Sequence, residues 1–415
     1  MARPRVVITG LAALTPLGHD MATTWERLVA GESGLGPITL FDPAEYASKV
    51  AGEVKDFDPT KYVSAKEARH MDRFTQLAAA TGTMLMEDSG YKVTPENERS
   101  IATIIGVGIG GLKTIEDFKE KLLKSGPNKI SPFLIPMIIS NMGPGQIALK
   151  YGIKGTNMVT TTACASATHA LGTAYTEIVM GRVRACITGG VESTVCPLGV
   201  SGFTAMKALS TNFNDTPHRA SRPFDIDRDG FVIGEGCGLL MLERLDDAQA
   251  RGAKIYAEVI GYGSSCDAYH ITAPDPSGAG MEWAMRNALT DAGLAPEAVT
   301  HINPHATSTK LGDIIETRAL KSVFGAHAKN LHISATKSMT GHLLGAAGGV
   351  EACFTALALQ NDILPPTVNL EHPDPECDLD YTPNKAAHIA CEYALCNSFG
   401  FGGTNASIVM KKWVG

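Results

Sequence analysis

Two hydrophobic periods alternate along the chain. Val6-Val7-Ile8 running to Leu11, and Ile255 to Gly261, are short apolar, β-branched runs that predict leading strands. Ala102 to Val107 and His301 to Asn303 predict strands that each end in a turn. Between strands the period changes. Ala167, Ala170, Leu171, Ala174 and Ile178 recur at helical spacing with no formal charge before Glu177, which predicts a buried helix. A second apolar helix runs from about Leu343 to Leu359 with Glu351 as its single charge, and Ala185 to Ile187 and Tyr393 to Asn397 predict a further pair of strands. Taken in order, these elements occur twice, so the chain reads as an α/β protein of two βαβ-rich halves, 1–254 and 255–415. The join is a charged, surface-like helix from Glu243 to Lys254, ending near Gly252. The first half carries extra material between Gly110 and Lys150, including Pro132-Phe133-Leu134-Ile135-Pro136-Met137-Ile138-Ile139, a run so apolar that it needs cover.

Composition fits a large enzyme. The chain has 415 residues, 44% hydrophobic and 19% charged, enough for an extensive core. A net charge of −7 argues against nucleic acid as a partner. Nine cysteines at scattered positions, without CxxC spacing, argue against both a disulfide framework and a metal site and point to a reducing cytoplasm. Arg3 and Arg5 before Val6-Val7-Ile8 faintly suggest an export signal, but Thr9, Gly10 and Pro16 interrupt the apolar run, so a first strand is expected instead. No apolar run is long enough to predict a membrane span.

The chemistry concentrates at Thr160-Thr161-Thr162-Ala163-Cys164-Ala165-Ser166, where a predicted strand passes into a predicted helix with a cysteine at the joint. A thiol at a helix N-terminus meets unpaired N–H groups and the positive end of the dipole, so Cys164 is expected to favour thiolate and to need little help from a base. A cysteine alone is more often core, and partners elsewhere must decide. Two histidines supply them: His305, before Ala306-Thr307-Ser308-Thr309, and His342, after Lys337-Ser338-Met339-Thr340-Gly341, each beyond a strand-like run. The fourth element is Asn397-Ser398-Phe399-Gly400-Phe401-Gly402-Gly403-Thr404-Asn405. Its glycines precede a strand, which excludes a dinucleotide or phosphate loop and leaves either an oxyanion hole built from backbone N–H groups or a tight hairpin.

Together these residues resemble the β-ketoacyl-acyl-carrier-protein synthases, the condensing enzymes of fatty-acid synthesis, most closely the type II form. The resemblance covers nearly the whole chain, with landmarks in family order: Ile8-Thr9-Gly10, Cys164, Gly189-Gly190-Val191-Glu192, Arg222-Pro223-Phe224-Asp225, Gly234-Glu235-Gly236, His305, Lys337, His342 and the Phe401 loop. It implies a thiolase-like fold of five αβαβα layers, in which paired buried helices lie between two mixed sheets. It also implies a homodimer, with the 110–150 segment capping the acyl pocket and meeting the partner.

The same resemblance assigns roles. Cys164 attacks an acyl thioester, and the N–H groups of Cys164 and Phe401 hold the oxyanion. His305 and His342 stabilise the enolate left when a malonyl thioester loses carbon dioxide, and Lys337 with Glu351 supports them. Ile109, Phe203 and Phe401 match acyl-pocket positions. Thr307 and Thr309 fit hydrogen bonding to a phosphopantetheine arm, which arrives on acyl-carrier protein, so no resident cofactor or metal is expected. Lys66, Arg69 and Lys207 match positions that meet the acidic carrier. Ala306 stands where many members have glycine, and is expected to trim local room rather than remove activity. The alternatives are a polyketide-type ketosynthase, a non-catalytic chain-length partner of the same fold, and a degradative thiolase, which needs a second cysteine where Phe401 stands.

Overall fold

The computed structural model describes residues 3–415. Ten strands form its main sheet: β1 (Val6–Leu14), β2 (Ile101–Gly106), β3 (Asn157–Thr160), β4 (Ala185–Glu192), β5 (Gly236–Arg244), β6 (Ala257–Cys266), β7 (His301–Asn303), β8 (His332–Ile333), β9 (Tyr393–Gly400) and β10 (Thr404–Lys412). Across the sheet the order is β8-β7-β9-β10-β6-β1-β5-β4-β2-β3. The first five strands and the last five repeat one topology, each strand having its counterpart five numbers later. In both halves the strand preceding the central join pairs antiparallel, and the two outermost pairings are parallel.

The two sheets expected from the sequence are joined. Val6–Ile8 of β1 pairs with Arg244 to Leu242 of β5 on one edge and with Val259 to Ala257 of β6 on the other. The start of β1, buried throughout, thus has no free edge and carries both halves as one continuous sheet.

Four helices complete the layers: α1 (Arg73–Ser89), α2 (Ser166–Val179), α3 (Ala279–Ala292) and α4 (Ala347–Asn361). Helix α1 covers β1 and β5, while α3 covers β6 and β10. Helices α2 and α4 lie inside, each touching strands of both halves. Their composition follows from that position. Every residue of α4 from Ala347 to Leu359 is buried, so the helix is apolar all round and has no polar face to show water. Leu171 and Ile178 of α2 are fully buried, each contributing about 1.5–3 kcal/mol of burial free energy. A Cβ on Gly348 would fall 2.0 Å from Thr168 Oγ1, so glycine is what lets α4 approach α2 this closely. Thr168 and Ser398 hydroxyls, 2.7 Å apart, tie α2 to β9 across the halves.

The inserted region folds into helices Leu112–Ser125, Leu134–Ile138 and Met142–Tyr151. Within one chain it leaves Ile115, Leu123, Phe133, Ile135 and Ile139 exposed. All nine cysteines are free thiols, with Cys266 the exposed one. Among the described residues no helix is long and apolar enough to cross a membrane.

Candidate active site

Cys164 lies in the turn between β3 and α2, two residues before the first helical residue. Local bonds shape that turn. Thr162 N–H donates to Ser166 Oγ at 2.9 Å, and the Ser166 hydroxyl donates to the Ala163 carbonyl at 2.6 Å. Ala163 is held at φ 51°, a left-handed conformation costing a non-glycine residue about 1–3 kcal/mol. The β9–β10 hairpin docks on the same turn: Thr404 Oγ1 donates to the Thr162 carbonyl at 3.0 Å, and a Cβ on Gly400 would stand 3.1 Å from Cys164 N. The glycine turn is therefore both the tight hairpin and the element that brings the Phe401 N–H to the sulfur.

Two loops of the second half deliver the histidines. His342 follows the short helix Lys337–Thr340, its N–H donates to the Val232 carbonyl at 2.8 Å, and its Nε2 stands 3.0 Å from Cys164 Sγ. His305 lies two residues past β7, and its ring crosses that of His342 at 84° with centroids 5.3 Å apart. Phe231 packs edge-on to His342 and Phe399 edge-on to His305. The three chemical groups converge: the donor atoms of Cys164, His305 and His342 lie within 4.8 Å of one another. This Cys-His-His set is of the kind that holds zinc, and the same three atoms are those that thioester chemistry uses.

Burial dominates the electrostatics. It pushes the Cys164 thiol up to about 11, against the opposing charge of Lys337 and the N–H groups of Phe401 and Cys164. The expectation that the helix end alone would favour thiolate is thus not met, since desolvation outweighs the favourable dipoles. Burial, with the nearby Lys337 charge, also holds His305 and His342 well below the usual imidazole range, so both are neutral. Each Nδ1 is buried without a protein partner among the described residues, which leaves Nε2 free to carry the N–H that a carbonyl oxygen accepts. Lys337 Nζ bonds directly to Glu351 Oε1, and both side chains are buried. Burial raises the Glu351 carboxyl to about 7 despite its cationic partner.

These groups open onto a cavity of about 240 Å³ lined also by Phe203, Met206, Phe231, Thr307, Thr309, Leu344 and Phe401. Thr307 and Thr309 hydroxyls lie 3.1 Å apart on its wall. Phe203 packs edge-on to Phe231. Ile109 does not line this cavity. Its N–H donates to Glu192 Oε2 at 3.1 Å, and the residue is 41% exposed. Lys207 is exposed between the lining residues Met206 and Ala208, whereas Lys66 and Arg69, also exposed, lie at the helix Ala65–Ala68, away from the lining.

Two buried carboxyls, Glu316 and Asp313, have no part in the sequence reading, and a third, Glu192, enters it only as a landmark of the resemblance. Glu316 accepts the N–H groups of His305 and Ala306 at 2.8 and 2.7 Å and so fixes the histidine loop, while burial raises it to about 7. Asp313 accepts the Phe224 N–H at 2.9 Å and faces Arg228. Both share the inner face of helix Lys310–Phe324 with Leu320 and Val323, and acids in an apolar stripe are the signal that identifies them. Glu192, the last residue of β4, takes backbone N–H groups from both halves.

Comparison with known proteins is consistent with this geometry. The family model described as beta-ketoacyl synthase, N-terminal domain, matches residues 3–248, and the C-terminal domain model matches residues 256–371. The chain is similar to a 3-oxoacyl-[acyl-carrier-protein] synthase 2 of Synechocystis sp., 50% identical over 413 residues, covering 100% of this chain and 99% of the relative. Among solved structures it resembles the ishigamide ketosynthase/chain length factor, with TM-score 0.93 and 35% identity over 100% of both chains. It also resembles the ketosynthase of AntDE:AntF, a type II PKS acyl-carrier protein in complex with its ketosynthase bound to the hexaketide, with TM-score 0.90 and 32% identity over 99% of this chain and 100% of that one.

Proposed function

The chain belongs to the beta-ketoacyl synthase family, and from that membership we propose how its site carries out the condensation that elongates a fatty acyl chain. The observation that carries the reading is the convergence of Cys164 with two neutral histidines at the floor of one cavity. In the first half-reaction Cys164 Sγ attacks an acyl thioester, whose carbonyl oxygen moves onto the N–H groups of Cys164 and Phe401. The thiol is protonated at rest, and its proton passes to the departing pantetheine sulfur as the new C–S bond forms and the old one breaks.

The second half-reaction begins when a malonyl thioester places its carbonyl oxygen against the N–H groups of His305 and His342. The C–C bond to the carboxylate breaks, carbon dioxide departs, and the electron pair is held as an enolate that two neutral donors stabilise. The enolate carbon attacks the acyl-cysteine carbonyl, the C–S bond breaks, and the thiolate takes up a proton to regenerate Cys164. The product is a 3-oxoacyl thioester two carbons longer. Burial keeps both imidazoles neutral, and Lys337, compensated by Glu351, adds a positive charge that works in the same direction.

The acyl and malonyl groups arrive on acyl-carrier protein, whose arm supplies the only cofactor the reading needs. Thr307 and Thr309 meet the arm and Lys207 meets the carrier at the mouth, with Lys66 and Arg69 extending that contact. Phe203 and Phe401 shape the acyl pocket. Ile109 and the apolar side chains of the 112–139 region are exposed in one chain, which supports a homodimer whose second copy covers them. Free thiols throughout support a cytoplasmic location. A polyketide-type ketosynthase would use the same three residues, but relatives 48–50% identical over nearly the full length are named 3-oxoacyl-[acyl-carrier-protein] synthase 2, which favours fatty-acid elongation.

Mass spectrometry of the protein incubated with acyl-carrier proteins of several chain lengths, then with malonyl-carrier protein, tests the reading. An acyl adduct on Cys164 that disappears as the product gains two carbons supports it. Folded protein that forms no adduct rejects it in favour of a non-catalytic partner.

A further inference from the structure

Glu192 is fully buried and takes part in no ion pair among the described residues. Its carboxylate is instead ringed by backbone. Oε2 accepts from Gly108 N at 2.8 Å, Ile109 N at 3.1 Å and Gly345 N at 3.3 Å, while Oε1 accepts from Gly110 N at 3.2 Å. Gly108, Ile109 and Gly110 form the loop after β2 in the first half, whereas Gly345 belongs to the turn behind His342 in the second. The approach is as close as backbone allows. A Cβ on Gly108 would fall 2.4 Å from Oε2, and one on Gly345 would fall 2.7 Å from Oε2 and 2.2 Å from Gly108 N.

Topology makes the position notable. Ala185 pairs with Ile101 in the first half, and Ala394 pairs with His301 at the equivalent place in the second. Counting along both strands, Glu192 stands seven residues past Ala185 and Phe401 seven past Ala394. The strand end that offers an N–H to the nucleophile in one half thus offers a carboxylate in the other. Leu344, between His342 and Gly345, lines the cavity and is held at φ 48°, a conformation that needs an external restraint.

We infer that Glu192 is a positioning residue, a carboxylate that clamps the Gly108–Gly110 loop to the Leu344–Gly345 turn and thereby fixes His342 relative to Cys164. Four N–H donors from two halves need two acceptor oxygens, and a carboxylate is the side chain that supplies both without a competing donor. Glutamine would present an amide N–H₂ to one pair of donors and open that side of the clamp. The inference rests on the condensing role proposed above for His342, but the clamp itself is read without turnover.

Hydrogen exchange followed by mass spectrometry, alongside kinetics of Glu192→Gln, tests it. In the unsubstituted protein the Gly108–Gly110 and Gly345 amides are expected to share one protection factor, because a single opening releases both. In Glu192→Gln both segments should exchange at least tenfold faster. Malonyl decarboxylation should fall at least tenfold, while iodoacetamide alkylation of Cys164 stays within threefold. Unequal protection of the two segments in the unsubstituted protein overturns the clamp even if Glu192→Gln does not fold. A variant in which decarboxylation and alkylation decline by one common factor shows a merely structural role and overturns the positioning claim. Loss of clamp protection with normal decarboxylation would leave the condensing reading intact and reject this one.

Discussion

Cys164 Sγ and His342 Nε2 lie 3.0 Å apart although they come from opposite halves of the chain, one at the head of α2 and the other beyond Lys337–Thr340. This contact assembles a site that neither half contains, and it matters because the thiol is buried and raised to about 11. Alkylation of Cys164 by iodoacetamide should therefore accelerate steadily from pH 7 to pH 9, following the thiolate fraction. A rate that levels off near neutral pH would mean that the dipoles of the helix end and the Phe401 N–H outweigh burial after all.

The histidines carry an opposite dependence. Both are held well below the ordinary imidazole range, so in the pH window under 6.5 the unfolded chain binds protons that the folded chain refuses, and stability is lost as pH falls. Between pH 7 and pH 5 each therefore contributes a loss of stability. Chemical denaturation of His305→Gln at the two pH values should show a smaller loss than the parent's. Equal losses would mean that His305 is protonated in the folded state. His305→Ala, which has no donor at that position, should decarboxylate malonyl thioester slower by about 10²–10³, the penalty of removing one oxyanion donor.

Much of this was legible in the sequence because the residues that react are also those that punctuate it. Cys164 interrupts a strand-to-helix transition and His305 follows a strand, so their placement follows from local pattern, whereas His342 follows the short helix Lys337–Thr340 rather than the strand its preceding apolar run suggests. The repeat of five strands was readable for the same reason: β1 with β6, β2 with β7 and β4 with β9 share period and order. What stayed hidden depends on distance. The joining of the halves through Val6–Ile8 and Ala257–Val259 is a pairing between residues far apart in sequence, with no local mark. Glu192 and Glu316 are visible as a landmark and as an acid in an apolar stripe, but what they hold is backbone N–H groups, which every residue has, so their partners carry no mark in the sequence. The state of the Cys164 thiol was misjudged because burial is a property of the assembled cavity rather than of the helix end.

Lys337 and Glu351 provide a way to separate support from catalysis. Both are buried, so removing one leaves an uncompensated charge, and Glu351→Ala should lower unfolding free energy by about 3–5 kcal/mol. Replacing both at once with apolar residues of similar size, Lys337→Met with Glu351→Leu, should restore most of that stability. The doubly substituted protein should nevertheless remain impaired in decarboxylation, since it lacks the charge that, beside burial, disfavours protonation of the histidines. Full activity in the double variant would reduce the pair to a structural feature.

Phe401 contributes two separable parts to the site. Its N–H serves the sulfur, and its side chain lines the cavity. Phe401→Ala keeps the first and removes the second, so acylation of Cys164 should persist while its dependence on acyl length changes severalfold. An unaltered chain-length profile would exclude the ring from selecting the acyl group.

Ala306 isolates the cost of shaping the histidine loop. The residue is 2% exposed and sits at φ 30°, where an L residue is strained by about 1–3 kcal/mol, and it stays there because Glu316 accepts its N–H together with that of His305. Glycine would relieve the strain, yet it also frees the unfolded chain, which offsets about 0.4–1 kcal/mol. The two effects oppose, so Ala306→Gly should leave unfolding free energy unchanged or raise it by about 1 kcal/mol, with condensation within threefold. A loss of stability beyond about 1 kcal/mol would mean that the buried methyl packs more favourably than its backbone suffers. In that case alanine is a core residue of the loop and Glu316 holds a conformation that packing already prefers.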